Sequence, residues 1–216
     1  MPSSRVRLVR LDACSDDERK GNPGVPNDGS LSSSTKELLE RLVEIDEACF
    51  PNDAGGVASA RTLASSPRLR RVTRLVLVYE SFEGDDSSER SPKLVEGKET
   101  ETEPNERTSS SDAFEGKGTL VAFASYTASS MCFEVTKVAC APSSRRRGYA
   151  KNAVAAILDE ARKKKIARVA LRVEKTNVAA VSLYESLGFR EDVSRATAHE
   201  GYYGAGRHGA VYEYFP

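Results

Sequence analysis

A tight turn that leads directly into a predicted helix is the part of this sequence most suited to chemistry. Three consecutive arginines, at 145–147, precede Gly148, and apolar residues then recur at helical spacing up to Ala161. The first N–H groups of a helix have no partner within it, and the helix dipole is positive at that end. We therefore predict an anion site for the pyrophosphate of a nucleotide-like cofactor. On these residues alone, an ordinary strand-to-helix loop with a solvated basic patch remains the alternative.

Length and charge limit the classes of function. The chain has 216 residues, enough for one domain with a real core, and its 32 basic residues balance 32 acidic ones. A chain without net charge has no general field to attract nucleic acid or an anionic membrane, so neither is expected as a partner. No apolar run approaches the length that crosses a bilayer.

Cysteine and histidine usage indicates the compartment and argues against a metal site. The four cysteines show no paired short spacing, which is typical of reduced thiols in an intracellular protein. We expect a cytoplasmic protein, with the nucleus as an alternative. Only His199 and His208 are present, and they lie close together near the C-terminus, so no metal is expected.

Hydrophobic periodicity predicts strands and helices in α/β order. Alternating or compact apolar runs predict strands at residues 6–11, 73–80, 120–126, 131–141, 167–174 and 210–215. Helical spacing predicts helices at 36–50, 150–161 and 178–187, with a short one within 54–66. Two strands joined by a short connection, 120–126 and 131–141, are expected to pair antiparallel. The order indicates a mixed sheet with helices packed against it.

Two segments have too little apolar content to fold by themselves. Residues 15–34 are rich in Gly, Pro, Ser and Asp, and residues 81–117 consist mainly of Glu, Ser, Asp, Thr and Gly. We expect a single domain over residues 1–216 with disorder at 15–34 and 81–117. The second, acidic segment is either an inert insertion or a loop that gathers a basic substrate.

Two motifs in this order resemble the GNAT acetyltransferase superfamily. Residues 145–150 (RRRGYA) are similar to the family's Arg/Gln-x-x-Gly-x-Gly/Ala loop, and residues 177–189 (NVAAVSLYESLGF) to its Asn-x-x-Ala…Tyr…Leu-Gly-Phe helix. The firm resemblance covers about residues 131–190. It implies a mixed, mostly antiparallel central sheet with helices on both faces.

The resemblance also implies an activity and a cofactor. A GNAT enzyme transfers an acetyl group from acetyl-CoA to a primary amine by direct attack in a ternary complex. Backbone N–H groups would hold the pyrophosphate, a strand end would pair with the pantetheine arm, and Asn177 would lie near the thiol. The pyrophosphate residues would be Arg145, Arg146, Arg147, Gly148, Tyr149 and Ala150. The strand end would be Val138, Ala139 and Cys140.

Two residues are candidates for proton transfer. Tyr184 resembles the family's tyrosine that protonates the departing thiolate, and the alternative is an aromatic that fills a helix face. The attacking amine must be neutral, which requires a base, and Glu134, fourteen positions before Gly148, is similar in place to a catalytic glutamate of some members. An exposed strand glutamate is the alternative. An acyl-cysteine at Cys140 is disfavoured because no histidine is near in sequence.

The acceptor is expected to be a protein or peptide amine, either an N-terminal α-amino group or a lysine. Phe50 and Pro51, together with Tyr202 and Tyr203, resemble segments that flank the peptide entrance in protein N-terminal acetyltransferases. Arg172 departs from that group, in which several members place a histidine or another base-supporting residue on this strand. The alternatives are acetylation of a small amine or polyamine, and a non-catalytic acyl-CoA-binding regulatory module.

Overall fold

The computed structural model describes residues 4–10, 33–51, 59–81, 118–195, 203 and 206–216. The strands there are β1 (Ser4–Arg10), β2 (Thr73–Ser81), β3 (Gly118–Ala128), β4 (Cys132–Cys140), β5 (Arg168–Glu174), β6 (Arg190–Glu191) and β7 (Gly209–Tyr214). The helices there are α1 (Ser33–Cys49), α2 (Ala60–Ser65), α3 (Pro67–Val72), α4 (Tyr149–Lys163) and α5 (Val178–Ser186). Two 3₁₀ turns occupy Pro142–Ser144 and Val193–Arg195.

All these strands belong to one sheet, in the order β1-β2-β3-β4-β5-β7-β6. Of the strand pairs in the described part of the chain, β4–β5 is parallel and the others are antiparallel. The predicted antiparallel pairing of β3 with β4 is confirmed. The mixed, mostly antiparallel sheet that the sequence implied is therefore confirmed as well.

The parallel pair β4–β5 separates part of the way along. Cys132–Val135 pair with Arg168–Leu171, and the register ends there. Beyond that point β4 pairs with β3 and β5 with β7. The described strands thus leave an opening between residues 136–140 and residues 172–174, which we call the β4–β5 cleft. Each of its two edges carries backbone groups that the neighbouring strand does not use.

A bulge at Thr136 changes which face of the sheet the β4 side chains occupy. Tyr126 pairs with Val135 and Ser125 pairs with Lys137, so Thr136 is the additional residue. Before the bulge, Val135 packs into the core beneath α4; after it, Ala139 packs into the core beneath α1. Lys137 consequently points toward α1 and is buried.

Helices cover both faces of the sheet, as the sequence implied. One core joins α4, α5 and the sheet, and the other joins α1, α2 and the opposite face. Residues of the first core include Val154, Ile157, Leu158, Val169 and Leu171, and residues of the second include Leu38, Leu42, Ile45, Leu75 and Leu77. Fully burying a side chain of this size contributes about 1.5–3 kcal/mol.

The first turn of α4 differs from the predicted apolar face. Tyr149 is buried, whereas Ala150 is only half-buried. Because α4 begins at Tyr149, the ring lies four residues before Ala153 and shares its buried face. The remaining predicted positions of this face, at 153, 154, 157, 158 and 161, are buried.

A second short helix, α3, was missed in the sequence. Ser66 ends α2 and caps α3, its hydroxyl accepting a hydrogen bond from the Leu69 N–H at 3.4 Å. Pro67 then occupies the first helical position, which suits its missing N–H. The Ser-Pro pair was the signal for this start.

The two segments predicted to be disordered lie mostly outside the described residues. Ser33 and Ser34, included in the first of them, instead begin α1. Ser81 ends β2.

Candidate active site

The turn before α4 presents backbone N–H groups at the end of β4. Arg146 and Gly148 both have positive φ, 64° and 85°. The first helical hydrogen bond runs from the Asn152 N–H to the Gly148 carbonyl at 2.9 Å. The N–H groups at 149–151 therefore have no acceptor within the helix, and the turn conformation adds to a concave anion site.

Space above Gly148 is open. A Cβ built on Gly148 would meet nothing within 4 Å, and no side chain caps the helix there. The exposed N–H groups and this open volume fit a pyrophosphate group lying against the backbone. Residues 145–150, predicted to bind the pyrophosphate, form this turn, with one distinction. Since the Tyr149 ring is in the core, Tyr149 offers the site its N–H and not its side chain.

The arginine side chains surround this turn and are exposed. Arg147 forms an ion pair with Glu80 at 2.6 Å, so part of its charge is already neutralised. Arg145 lies over the end of β4, with its Nε 3.5 Å from the Cys140 carbonyl and an Nη 3.6 Å from the Cys49 sulfur. Backbone groups rather than guanidinium charge are thus the fixed part of the anion site.

Val138, Ala139 and Cys140 line the β4 edge of the cleft. They pair with Ala122–Ala124 of β3 on one side, while the register with β5 has already ended. A free strand edge of this kind can hydrogen-bond an extended chain as if it were an added strand. The amide-containing pantetheine arm of coenzyme A has that chemistry.

The Cys140 thiol is poorly suited to nucleophilic attack. Its sulfur lies 3.5 Å from the Ser144 carbonyl, and burial, followed by the neighbouring Cys49, raises its pKa. A raised pKa lowers the fraction of thiolate, the reactive form. Both features disfavour an acyl-cysteine at Cys140.

Tyr184 lies on α5 with its side chain in the core. Its ring packs edge-on against Phe189, with ring centroids 5.9 Å apart. Burial raises the pKa of Tyr184, and the charge of a nearby Tyr203 phenolate would raise it further. The phenol is therefore protonated throughout the neutral range, as a proton donor must be before it acts. The structure also brings Tyr184 close to Tyr203, a residue predicted at the acceptor side.

Asn177 caps α5. Its side-chain oxygen accepts a hydrogen bond from the Ala180 N–H at 3.2 Å, and the residue is exposed. This local role accounts for an asparagine at the start of the second motif. A contact with a bound cofactor, predicted from the resemblance, would use the two N–H donors of the amide or the second lone pair of this oxygen.

Glu134 and Arg172 form an ion pair at the mouth of the β4–β5 cleft. Arg172 is the first β5 residue beyond the last residue paired with β4. Both side chains are about two-fifths exposed, at 41% for Glu134 and 40% for Arg172. At Arg172 the sequence differs from protein N-terminal acetyltransferases. In the structure this arginine holds the carboxylate that is predicted to act as the base.

The predicted acceptor residues lie at two places. Phe50 follows α1, and the Lys137 ammonium lies 4.7 Å from the centre of its ring, while Pro51 is exposed in the next turn. Tyr203 is half-buried, and its N–H donates to the Arg207 carbonyl at 3.3 Å. Tyr202 lies outside the described residues.

Several residues near the site were missed by sequence reasoning. Asp46 and Lys137 form a buried ion pair, and Arg207 forms a two-bonded fork with Glu174 at 2.8 and 2.6 Å. Asp46 had a signal, since it lies on the apolar face of α1 four residues after Leu42. The sequence carries no signal for the partners in these ion pairs, because each pair joins residues that are distant in sequence.

The described residues contain neither a metal-ligand cluster nor a membrane-spanning helix. No group of three or more His, Cys, Asp or Glu side chains there is arranged to hold a metal ion. None of the described helices has the length and apolar character to span a membrane.

Comparison with known proteins gives related sequences and folds. The chain is 38% identical over 66 residues to "[Ribosomal protein bS18]-alanine N-acetyltransferase" of Escherichia coli K12, which is 31% of this chain and 42% of that protein. The match thus spans less than half the length of the curated relative.

Solved structures share the fold at low identity. The ribosomal-protein-S18-alanine N-acetyltransferase of Escherichia coli superposes with a TM-score of 0.52 at 19% identity, covering 85% of this chain and 89% of that one. An acetyltransferase of Salmonella typhimurium, solved with acetyl-CoA, gives 0.53 at 13% identity, covering 98% and 93%.

The family assignment rests on a longer stretch of sequence. Residues 75–189, from β2 through Phe189, match the acetyltransferase (GNAT) family over more than half of the chain. This stretch contains the pyrophosphate turn, the β4–β5 cleft, Glu134 and Tyr184. The chain belongs to the acetyltransferase (GNAT) family.

Proposed function

We propose that this protein transfers the acetyl group of acetyl-CoA to the α-amino group of a protein or peptide by direct attack. The observation that carries the proposal is the turn at Gly148 beside the open edge of β4. Together they offer a site for the pyrophosphate and a site for the pantetheine arm in one continuous path. Acetyl-CoA would supply the activated acetyl group as a thioester.

The choice of a peptide acceptor is supported by a relative and by charge. The curated relative is named for acetylating the alanine of a ribosomal protein. Along β5, Glu134 is paired with Arg172, Glu213 with Arg168 and Glu174 with Arg207. A polyamine or a basic tail binds best to carboxylates that are not already neutralised, so these pairs favour an acceptor with little positive charge.

The choice of an α-amine over a lysine amine follows from their acidity. An α-amine with a pKa near 8 is about one-tenth neutral at pH 7, whereas a lysine with a pKa near 10.4 is neutral in about one molecule in 2,500. A site whose candidate base is ion-paired gives limited help with deprotonation. Such a site suits the amine that needs less help.

Different residues of this chain would serve the separate proton transfers and the binding of the acceptor. Glu134, held by Arg172, would accept the proton that the amine loses, directly or through water. Tyr184, kept protonated by burial, would donate a proton to the departing sulfur. Phe50 and Tyr203 would flank the acceptor.

Replacing Glu134 with glutamine is expected to lower kcat/KM about 10- to 100-fold at pH 7, at the lower end of what a general base contributes, because this carboxylate is ion-paired. The loss should shrink at pH 9, because the acceptor amine is then largely neutral without help. Steady-state kinetics at both pH values measure the effect.

Glu213→Gln is the matched control for this variant. Glu134 and Glu213 both pair in register with Ala170, from opposite sides of β5, and each is ion-paired with a β5 arginine. Equal losses in the two variants, or none in Glu134→Gln, would show that Glu134 is a surface glutamate of the strand.

A panel of acceptors tests the proposed function. Initial rates of CoA release are measured with a peptide bearing N-terminal alanine, the same peptide with its N-terminus blocked, and spermidine. We expect turnover with the first only. Preference for spermidine would establish the small-amine alternative, and binding of acetyl-CoA without turnover of any acceptor would establish a regulatory module.

A further inference from the structure

A buried ion pair joins α1 to β4 beside the proposed site. The Lys137 ammonium lies 2.9 Å from Asp46 Oδ1, and the two side chains are only 5% and 6% exposed. Neither residue belongs to the motifs of the cofactor site or to the proton-transfer pair. Such a pair requires a physical reason, since taking two charges out of water is costly.

Asp46 also holds the start of α2 and the residue after α1. Its Oδ2 accepts a hydrogen bond from the Ala60 N–H at 2.8 Å, and its backbone carbonyl accepts one from the Phe50 N–H, also at 2.8 Å. The carboxylate thus fixes the start of α2, while the Phe50 N–H is held by a helical hydrogen bond to the backbone of the same residue. The connection between α1 and α2 includes Phe50 and Pro51, the predicted acceptor entrance.

Lys137 links the same connection to β4, whose end is the proposed pantetheine edge. Its ammonium lies 4.7 Å from the centre of the Phe50 ring, within the range of a cation–π interaction. In the chain it follows the bulge at Thr136 and directly precedes Val138, the first residue of the proposed pantetheine edge. The pair therefore spans the distance between the proposed acceptor side and the proposed cofactor side.

Stability alone does not account for the pair. Replacing a buried ion pair by neutral residues of similar size is often neutral or stabilising, whereas removing one partner is strongly destabilising. Unlike an apolar contact, a buried ion pair fixes both a distance and a direction. Those properties matter where two substrates must meet in register.

We propose that the Asp46–Lys137 pair is a positioning device that holds Phe50 and the acceptor entrance in register with the β4 edge that binds acetyl-CoA. The kinetic part of this inference rests on the proposed function; the structural part does not. Asp46 and Lys137 act through Phe50 and β4 and touch neither reacting atom.

The test uses a double variant, Asp46→Asn with Lys137→Met, beside each single variant. Asparagine keeps an acceptor for the Ala60 N–H, and methionine keeps most of the lysine volume. Each single variant leaves one buried partner without its counter-charge, so its Tm should fall. The double variant buries no charge at this place, and its Tm should return close to that of the parent.

The kinetic prediction separates positioning from support of the fold. In the double variant the KM for the N-terminal-alanine peptide should rise about tenfold, the loss expected from a misplaced binding group, while the KM for acetyl-CoA stays within about twofold. The single variant Lys137→Arg keeps the charge that faces Asp46, so it should lose less peptide affinity than the double variant. Parental KM values in a double variant of parental Tm would overturn the proposal.

Amide hydrogen exchange provides a readout that needs no acceptor. In the double variant the Phe50 ring loses its contact with the Lys137 ammonium, and the Ala60 N–H exchanges a carboxylate acceptor for a weaker amide oxygen. The Phe50 and Ala60 amides should therefore exchange faster, and the buried α4 amides should keep the parental rate. Unchanged exchange at Phe50 and Ala60 would overturn the proposal even if no peptide is acetylated. Faster exchange there without peptide turnover would leave the positioning device in place and refute the proposed acceptor instead.

Discussion

Replacement of Gly148 by valine is expected to weaken acetyl-CoA binding severely in a protein that remains folded. Gly148 has φ +85°, a conformation that costs a non-glycine residue on the order of 1–2 kcal/mol and a β-branched residue more. The added side chain would also enter the open space above the turn, where a Cβ meets nothing within 4 Å. We expect affinity for acetyl-CoA, measured by isothermal titration calorimetry, to fall at least about 100-fold, because the pyrophosphate loses close contact with several N–H groups.

Gly206→Val is the matched control for this result. Gly206 has a similar φ of +74°, and a Cβ there also meets nothing within 4 Å, but it lies in the loop before β7. The backbone strain should lower the Tm of both variants by similar amounts. If both lose acetyl-CoA affinity equally, or if Gly148→Val binds normally, the turn does not hold the pyrophosphate.

Replacement of Tyr184 by phenylalanine should reduce kcat about 100- to 1,000-fold and leave the Kd for acetyl-CoA within about twofold, because only a proton donor is removed. The ring contact with Phe189 is preserved, so the fold should be unaffected. Since burial raises the pKa of Tyr184, its phenol does not ionise in the assay range. The parent enzyme should therefore show no loss of rate from this group as the pH rises from 7 to 9.

Tyr212→Phe provides the comparison for Tyr184→Phe. Tyr212 is a buried tyrosine of the same core, and burial raises its pKa too, but its hydroxyl lies 3.4 Å from Glu185. We expect parental kcat from this variant. Similar rates for the Tyr184 and Tyr212 variants would mean that Tyr184 only fills the core.

Most strands and helices, and the turn before α4, could be predicted from the sequence, because each depends on a local pattern. The α4 face follows from apolar spacing, and the exposed N–H groups before it follow from a glycine at a helix start. The general order of strands and helices was likewise readable. The β4–β5 cleft was not, since it arises where two strands distant in sequence stop pairing.

Side-chain partnerships were the part that the sequence did not provide. Glu134 and Arg172 are 38 positions apart, and their pairing depends on the register of β4 with β5. Lys137 is buried because a bulge at Thr136 turns it toward α1, although the alternation of the unbulged strand would place it on the α4 face. One extra residue in the strand thus determines on which face the charge lies, and no local sequence pattern predicts this bulge.

One peptide that carries both kinds of amine tests the proposed reaction most directly. The peptide has a free N-terminal alanine and one internal lysine, and it is incubated with the protein and acetyl-CoA at pH 7. Fragmentation mass spectrometry then locates the acetyl group. We predict acetylation of the alanine α-amine and an unmodified lysine. Acetyl on the lysine, or no acetylated peptide from protein that binds acetyl-CoA, would contradict the proposal.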